Sequence, residues 1–239
     1  MDVSPRRTRL RLDRWLLALL MLGALLAGAR AWLSAHPHHD PWAPLSLDDP
    51  PGWATKGKIA ALREDAQACR AVLERSGVSF TRLDPAGEGA CARPDRLLLD
   101  DAPLAPNEPA TCAVQAATEM WLRDTVRPAA VRLFDSELTR IETFGSYSCR
   151  RLYGRSEGRW SEHATGNAID VAAFVLADGS RISVLSDWEG EGQEAQFLHE
   201  VRDGSCAVFA TVLSPEYNDA HRDHFHLDQA ARGYGGVCR

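Results

Sequence analysis

The segment 161–170 constrains this chain most, because it holds a histidine and an aspartate seven residues apart. His163 and Asp170 enclose the small residues Gly166 and Ala168, which let the backbone turn tightly. Neutral imidazole and carboxylate are both good ligands of zinc. Since a zinc site needs at least three protein ligands, this segment predicts a metal site only if a third ligand lies elsewhere.

A polar segment far down the chain supplies that third ligand. As a β-strand, its period of two places His224, His226 and Asp228 on one face. Phe225 and Leu227 then point the other way, into a core. We therefore expect a strand with a metal-binding face. The simpler alternative is a solvated edge strand and an unrelated loop histidine.

Together these segments resemble a known superfamily of zinc proteins. Residues 161–170 read S-x-H-x-x-G-x-A-x-D, which is similar to the first motif of the lysostaphin/D-Ala-D-Ala peptidase/hedgehog (LAS) superfamily, and the H-x-H at 224–226 is similar to its second motif. Segment 56–239 resembles the extensin-like C-terminal domain family, a branch of that superfamily, through S-Y-S-C-R at 146–150 and D-H-F-H-L-D at 223–228. The plant name carries no functional weight, because the chain has no Ser-Pro-Pro-Pro-Pro repeat.

The resemblance implies an α+β fold like that of hedgehog proteins and D-Ala-D-Ala peptidases: a small antiparallel sheet carries the ligands, and helices pack on its other face. Apolar periodicity predicts helices at 56–76, 112–126 and 193–202, and strands at 129–134, 139–144, 170–176, 181–185 and 207–213.

The resemblance also implies a ligand set. His163, Asp170 and His226 would hold a zinc ion, Zn²⁺, and leave the fourth position for water. A zinc ion lowers the pKa of such a water toward ~7 and polarises a carbonyl, which suits peptide hydrolysis.

Further residues receive roles by the same resemblance. Asp223 matches the general base of related peptidases, although glutamate is commoner there, and His221 is the alternative base. His224 matches the non-ligand histidine, which orients or stabilises the transition state. Arg150 matches an arginine that contacts the substrate, for which a guanidinium offers a fixed fork of donors; a surface arginine is the alternative.

Two more residues are candidates for supporting the ligands. A carboxylate that accepts the second N–H of a ligand histidine fixes its tautomer, and Asp228 is the candidate for this role. Ser161 is the other supporting candidate. The alternative for Asp228 is an exposed carboxylate at the end of a strand.

Charge argues against a nucleic-acid partner. The 239 residues carry a net charge of −6, but 1–35 hold six arginines against two aspartates. The remainder has 21 basic and 31 acidic residues, a net charge of about −10. An acidic body without a basic stripe does not suit nucleic acid.

Six cysteines without a C-x-x-C pair favour disulfides over a cysteine-ligated metal. Three bridges would indicate an oxidising compartment. Fifteen pairings are possible for six cysteines. Proximity in sequence favours Cys69–Cys91, Cys112–Cys149 and Cys206–Cys238.

The N-terminal residues indicate export. Residues 1–14 are rich in arginine, and 15–29 form an uncharged apolar run, as in an export signal. Extended to Leu33, the run makes about 28 Å of helix, close to the thickness of a bilayer's hydrocarbon core. We expect an uncleaved inner-membrane anchor with the body in the periplasm. A small-x-small site at 29–31 leaves open cleavage to a soluble periplasmic form.

The sequence therefore divides into three regions. Residues 1–35 form the basic segment and the anchor or signal, 36–55 a proline-rich tether, and 56–239 the extensin-like domain. We expect a periplasmic zinc peptidase that acts on peptidoglycan peptides or another extracytoplasmic peptide. The alternatives are a catalytically inactive, zinc-stabilised binding module and, less favoured, a disulfide-linked structural protein.

Overall fold

A computed structural model describes residues 6–231 and 236–239, with side chains from Asp13 onward. The α-helices are α1 (Arg6–Ala35), α2 (Thr55–Ala61), α3 (Ala66–Arg75), α4 (Cys112–Trp121), α5 (Arg127–Phe134), α6 (Val184–Asp187) and α7 (Gln193–Ser205). The strands are β1 (Phe80–Arg82), β2 (Leu97–Leu99), β3 (Leu104–Ala105), β4 (Leu138–Gly145), β5 (Ala168–Leu176), β6 (Arg181–Ser183), β7 (Thr211–Leu213), β8 (Phe225–Asp228) and β9 (Val237–Cys238). The predicted α+β class is confirmed.

The main sheet places β5 near its centre. Among the described residues it has seven strands in the order β3-β4-β5-β8-β7-β9, and β6 also pairs with β5. The inner pairs are antiparallel, as predicted. The edge pairs β3-β4 and β7-β9 are parallel, so the expectation of a wholly antiparallel sheet is wrong. The chain passes through α4 and α5 between β3 and β4, and such a crossover returns it in the same direction.

Helices cover one face of β5. Eight of its nine residues are buried, which identifies it as the central strand. The Trp121 indole N–H donates to the Val201 carbonyl over 2.7 Å, which ties α4 to α7. The Phe174 ring of β5 meets the rings of Trp121 and Phe197 edge-on, with centroids 5.9 and 5.1 Å apart. These aromatic contacts form the centre of the core.

Two predicted elements differ in kind from those observed. Residues 129–134, predicted as a strand, belong to α5. Pro128 is its second residue, directly after the π-helical turn Leu122–Val126, and Val126, Ala129 and Ala130 are buried at the i, i+3 and i+4 spacing of a helix. Residues 207–213 were predicted as one strand, but only Thr211–Leu213 is extended, because α7 continues to Ser205 and a turn follows.

Two predicted helices are interrupted. The helix expected at 56–76 consists of α2, a 3₁₀ turn and α3, because the Asp65 side chain accepts a hydrogen bond from the Ala68 N–H and so caps a new helix. The helix expected at 112–126 is α4 followed by a π-helical turn, Leu122–Val126. The strands expected at 139–144 and 170–176 and the hairpin with 181–185 are confirmed, with slightly different ends.

Three disulfides are present, as predicted, but two of the pairings are wrong. Cys206–Cys238 is confirmed, whereas the other bridges are Cys69–Cys112 and Cys91–Cys149. Cys69 on α3 and Cys112 at the start of α4 are fully buried where these helices meet. Packing between helices therefore decided the pairing, and proximity in sequence did not.

The part of α1 from Asp13 onward is long and apolar. The most apolar 18 residues of Asp13–Ala35 have a mean hydropathy of 2.0 and none of this stretch is buried, so its length and composition suit either a membrane span or a signal sequence. The proline-rich segment 36–55 is not a free tether along its whole length. Leu47 is fully buried, and its backbone N–H donates to the Ser76 hydroxyl over 3.2 Å.

We expect Leu47→Ala to destabilise the whole body by about 2–5 kcal/mol, the usual cost of a buried leucine truncation. Urea unfolding followed by tryptophan fluorescence measures this loss. Leu185→Ala removes the same atoms from a side chain that is 62% exposed and should have little effect. Equal, small effects of both changes would mean that 36–55 is a tether after all.

Candidate metal centre

Two neighbouring strands place an aspartate and a histidine side by side. Asp170 of β5 lies directly opposite His226 of β8 in the antiparallel register. Phe225 and Leu227, the alternate residues of β8, are fully buried in the core. The predicted division of this strand into a polar face and an apolar face is therefore seen. Directly opposed side chains share a face and lie close enough to touch.

A β-bulge lets β5 serve the centre and the core at once. Val171 pairs with Thr143 and Ala173 with Glu142, so β5 has one extra residue between these positions. An extra residue reverses which face the following side chains occupy. Asp170 therefore faces the centre while Phe174 packs against the helices, although strict alternation would put both on one face.

A 3₁₀ turn, Glu162–Thr165, carries the third residue. Ser161 caps it, because its hydroxyl accepts a hydrogen bond from the His163 N–H over 3.3 Å. Gly166 ends the turn with φ +70°, in the left-handed region that favours glycine. The Thr111 N–H donates to the Gly166 carbonyl over 2.9 Å, which anchors the turn to the start of α4. Ser161 thus supports His163 through the backbone.

The three side chains converge. The Nε2 atom of His163 lies 3.1 Å from Asp170 Oδ1 and 3.0 Å from His226 Nδ1. His226 Nδ1 lies 2.9 Å from Asp170 Oδ1, which closes the triangle. Within the described part of the chain, this is the group of histidine, cysteine and acidic residues whose ligand atoms could hold a metal. We call these three residues the candidate centre.

Neighbouring acceptors fix the tautomers of both histidines. The His163 Nδ1 lies 3.2 Å from the Ser146 carbonyl oxygen, which can only accept, so a neutral ring carries its proton on Nδ1. The His226 Nε2 lies 3.0 Å from Asp228 Oδ2 and donates to it in the same way. Both rings therefore direct lone pairs toward the carboxylate of Asp170. Three acceptors about 3 Å apart repel one another unless a cation lies among them.

The pKa values of the centre also indicate that it favours positive charge. Burial raises the pKa of Asp170, but its contacts with His163 and His226 outweigh burial and hold this pKa well below its ordinary value. Burial lowers the pKa of His226, yet its hydrogen bonds to Asp170 and Asp228 raise it to about 9. Burial likewise opposes the charge of Asp228, and the hydrogen bond from His226 nevertheless lowers that pKa. The centre therefore favours a cation, be it a proton or a metal ion.

The donor set fits zinc. Two imidazole nitrogens and one carboxylate oxygen match a three-ligand catalytic zinc site. Ligand atoms at zinc distances in a tetrahedron lie about 3.3 Å apart, a little more than the sides of the triangle. Asp228 holds the tautomer of His226, which is the supporting role predicted for it. That these residues bind zinc stays a prediction.

The remaining candidate residues lie beside the centre. The Asp223 Oδ1 accepts a hydrogen bond from His224 Nδ1 over 2.8 Å, so the Nε2 of a neutral His224 carries the lone pair. This Nε2 lies 3.7 Å from Asp170 Oδ1. The Asn218 Oδ1 accepts from the Ala220 N–H and from His221 Nδ1, and burial and the nearby histidines lower the pKa of His221 to about 4. His221 is therefore neutral at pH 7.

A cavity of about 130 Å³ opens onto the centre. His221 and His224 line it, whereas Asp223 does not and reaches it only through His224. Arg150, the candidate substrate contact, is exposed at its rim, and its guanidinium makes no hydrogen bond or ion pair with the described residues. The structure thus brings every predicted site residue to the centre or its surroundings.

Sequence reasoning missed the supports of His163. The Glu108 Oε2 accepts hydrogen bonds from the N–H groups of Ser146 and Tyr147 at 2.8 and 3.3 Å. Gly145 has φ +98°, and a Cβ there would lie 2.5 Å from this carboxylate, so only glycine fits. Glu108 thereby holds the Ser146 carbonyl that orients His163. No sequence signal links Glu108 to His163, because the loops meet only in space.

Fold and site together define a disulfide-linked, α+β domain with a candidate metal centre at the middle of its sheet. Residues 67–239 match the model of the family described as "Extensin-like protein C-terminus", and the chain belongs to that family. No curated protein and no solved structure matches the chain.

We expect zinc affinity to rise with pH. In the metal-free protein the pKa of His226 is about 9, so zinc must displace a proton from this ring at pH 7. Displacing one proton makes the affinity rise about tenfold per pH unit, and the rise should level off above pH 9. Calorimetric titrations of the full chain, in buffers of different ionisation enthalpy, measure both affinity and proton release. A pH-independent affinity between pH 7 and 9 would contradict this ligand set.

Proposed function

We propose that this chain is an exported, zinc-dependent peptidase that acts on cell-wall peptides, built on the fold of the LAS superfamily. One observation carries the proposal: three fixed lone pairs converge beside a histidine whose free Nε2 faces the same point. A centre that only stabilised the fold would not need this fourth, unliganded imidazole.

His163, Asp170 and His226 would hold the ion. When bound, zinc supplies an electrophile that polarises the scissile carbonyl and acidifies a water molecule. Asp228 and the Ser146 carbonyl keep the two histidines in the tautomers that ligation requires. Burial of His163 and Asp170 excludes competing water from the ligand side of the centre.

We assign the proton transfer to His224. Asp223 was the base expected from the resemblance, but its carboxylate is hydrogen-bonded to His224 Nδ1 and does not line the cavity. Asp223 therefore orients His224, whose Nε2 takes a proton from the attacking water and later gives it to the nitrogen of the leaving amine. The new C–O bond replaces the C–N bond, the electron pair of the C–N bond stays on the leaving nitrogen, and this nitrogen receives the proton from His224. The Phe144 ring, edge-on at 5.6 Å, also restrains His224.

The features that indicate export also support an extracytoplasmic substrate. Three disulfides are consistent with an exported protein, and α1 is apolar enough for an anchor or a signal. The peptidoglycan of the bacterial envelope is the peptide polymer that an enzyme in the periplasm meets. We therefore place the body in the periplasm, attached to the inner membrane through α1.

Replacing the proposed base separates turnover from metal binding. His224→Ala should lower hydrolysis of soluble wall peptides by about 10²–10⁴-fold, while the zinc content stays at one per chain. Asp223→Asn should cost less, about 10–100-fold, because it removes only the group that orients the ring. Liquid chromatography of the peptide products, with parallel metal analysis, measures both quantities.

His38→Ala is the matched control, because it removes a histidine remote in sequence from the site and should change neither quantity. Full activity of His224→Ala would show that the base lies elsewhere. If the parent binds zinc and cuts no wall peptide, the chain is a zinc-stabilised binding module, which needs no base.

A further inference from the structure

One loop beside the cavity is strongly basic. Residues 150–160, here the arginine loop, contain four arginines and a single glutamate, in a body whose net charge is about −10. An antiparallel bridge between Arg151 and Trp160 closes the loop. The Arg151 guanidinium lies 4.4 Å from the centroid of the Trp160 ring and donates to the Gly158 carbonyl. The contacts of the Arg151 guanidinium therefore lie within the loop itself.

The other arginines differ in position. Arg155 lies over the Tyr153 ring, 5.8 Å from its centroid, and does not line the cavity. Arg150 and Arg159 both line the cavity. Their guanidinium groups form no hydrogen bond or ion pair anywhere in residues 6–231 or 236–239. Two unpaired guanidinium groups at one wall of a cavity form a site for a carboxylate.

Aromatic rings extend this wall. Tyr153 and Trp160 line the cavity and remain 55% and 40% exposed. Tyr153 has φ +57°, a left-handed conformation that is strained in a residue other than glycine. Its hydroxyl accepts a hydrogen bond from Asn218 Nδ2 over 3.4 Å, so the opposite loop helps to hold it. Such exposed rings provide flat contact area for a bound chain.

The acidic side chains at the cavity already have hydrogen-bond partners. Glu162 accepts a hydrogen bond from Asn167 over 2.7 Å, and Asp170 and Asp228 are bonded to the histidines of the centre. Asp223 is bonded to His224. Arg150 and Arg159 are therefore the charged groups of this lining that have no partner among the described residues.

We propose that Arg159 adds a second guanidinium to the substrate contact expected of Arg150, so that the arginine loop selects acidic peptides, which pack against Tyr153 and Trp160. The inference rests on the proposed function, since it names the class of peptide that the same cavity accepts. The net charge of the body, about −10, does not attract anions in general, so a bound carboxylate depends on these arginines and not on overall charge.

The test compares two arginines of the same loop. Binding of the full, zinc-loaded chain is measured by co-sedimentation with purified peptidoglycan whose peptide carboxylates are either free or converted to amides. Arg159→Gln should weaken binding to the free form about tenfold or more, the usual effect of losing a charged hydrogen bond. Arg155→Gln removes the same charge away from the cavity and should change binding less than about twofold. On amidated peptidoglycan the parent and both variants should bind equally weakly.

Equal losses from the two variants would overturn the proposal, since they would indicate attraction by net charge alone. Undiminished binding after amidation would overturn it too, and dependence on wall-linked phosphate polymers would assign the loop to those polymers instead. Hydrolysis is scored separately. Carboxylate-dependent binding without cleavage would refute the peptidase activity and support the role of the arginine loop. Cleavage and binding that Arg159→Gln leaves unchanged would support the peptidase activity and refute the role of the loop.

Discussion

The register of β5 against β8 is the constraint on which the rest of the site depends. It sets Asp170 opposite His226, and a slip of one residue would turn His226 into the core and expose Phe225. Burial of Phe225 and Leu227 therefore stabilises the position of His226 on the opposite face as much as it stabilises the core. The bulge in β5 is the local adjustment that lets one strand satisfy both requirements.

The outer parts of the fold hold the third residue in place. The disulfide Cys91–Cys149 anchors the segment after β4, and Ser146, three residues earlier in that segment, orients His163 through its carbonyl. Glu108 fixes the same segment from another loop. The disulfides thus serve the geometry of the site as well as stability, which suits a site on loops around a small sheet.

Sequence reasoning succeeded where one local pattern determined the outcome. The alternation of 224–228 was enough to predict the strand, and the convergence of His163, Asp170 and His226 was expected from the resemblance of the two motifs to those of zinc proteins. Sequence reasoning failed where contacts between distant segments determined the structure. Residues 129–134 are apolar enough for a strand, but packing of the buried Ala129 and Ala130 in the core makes them a helix. Cys69 pairs with Cys112 because α3 packs on α4, and Glu108 supports a residue 55 positions away.

X-ray absorption at the zinc edge of the purified full chain determines whether two histidines and one aspartate hold a zinc ion, as we propose. We expect one zinc per chain, two imidazoles with nitrogen at about 2.0–2.1 Å, and no sulfur shell, since the six cysteines form disulfides. A sulfur shell near about 2.3 Å, or a chain that takes up no zinc when loaded at pH 8, would contradict it.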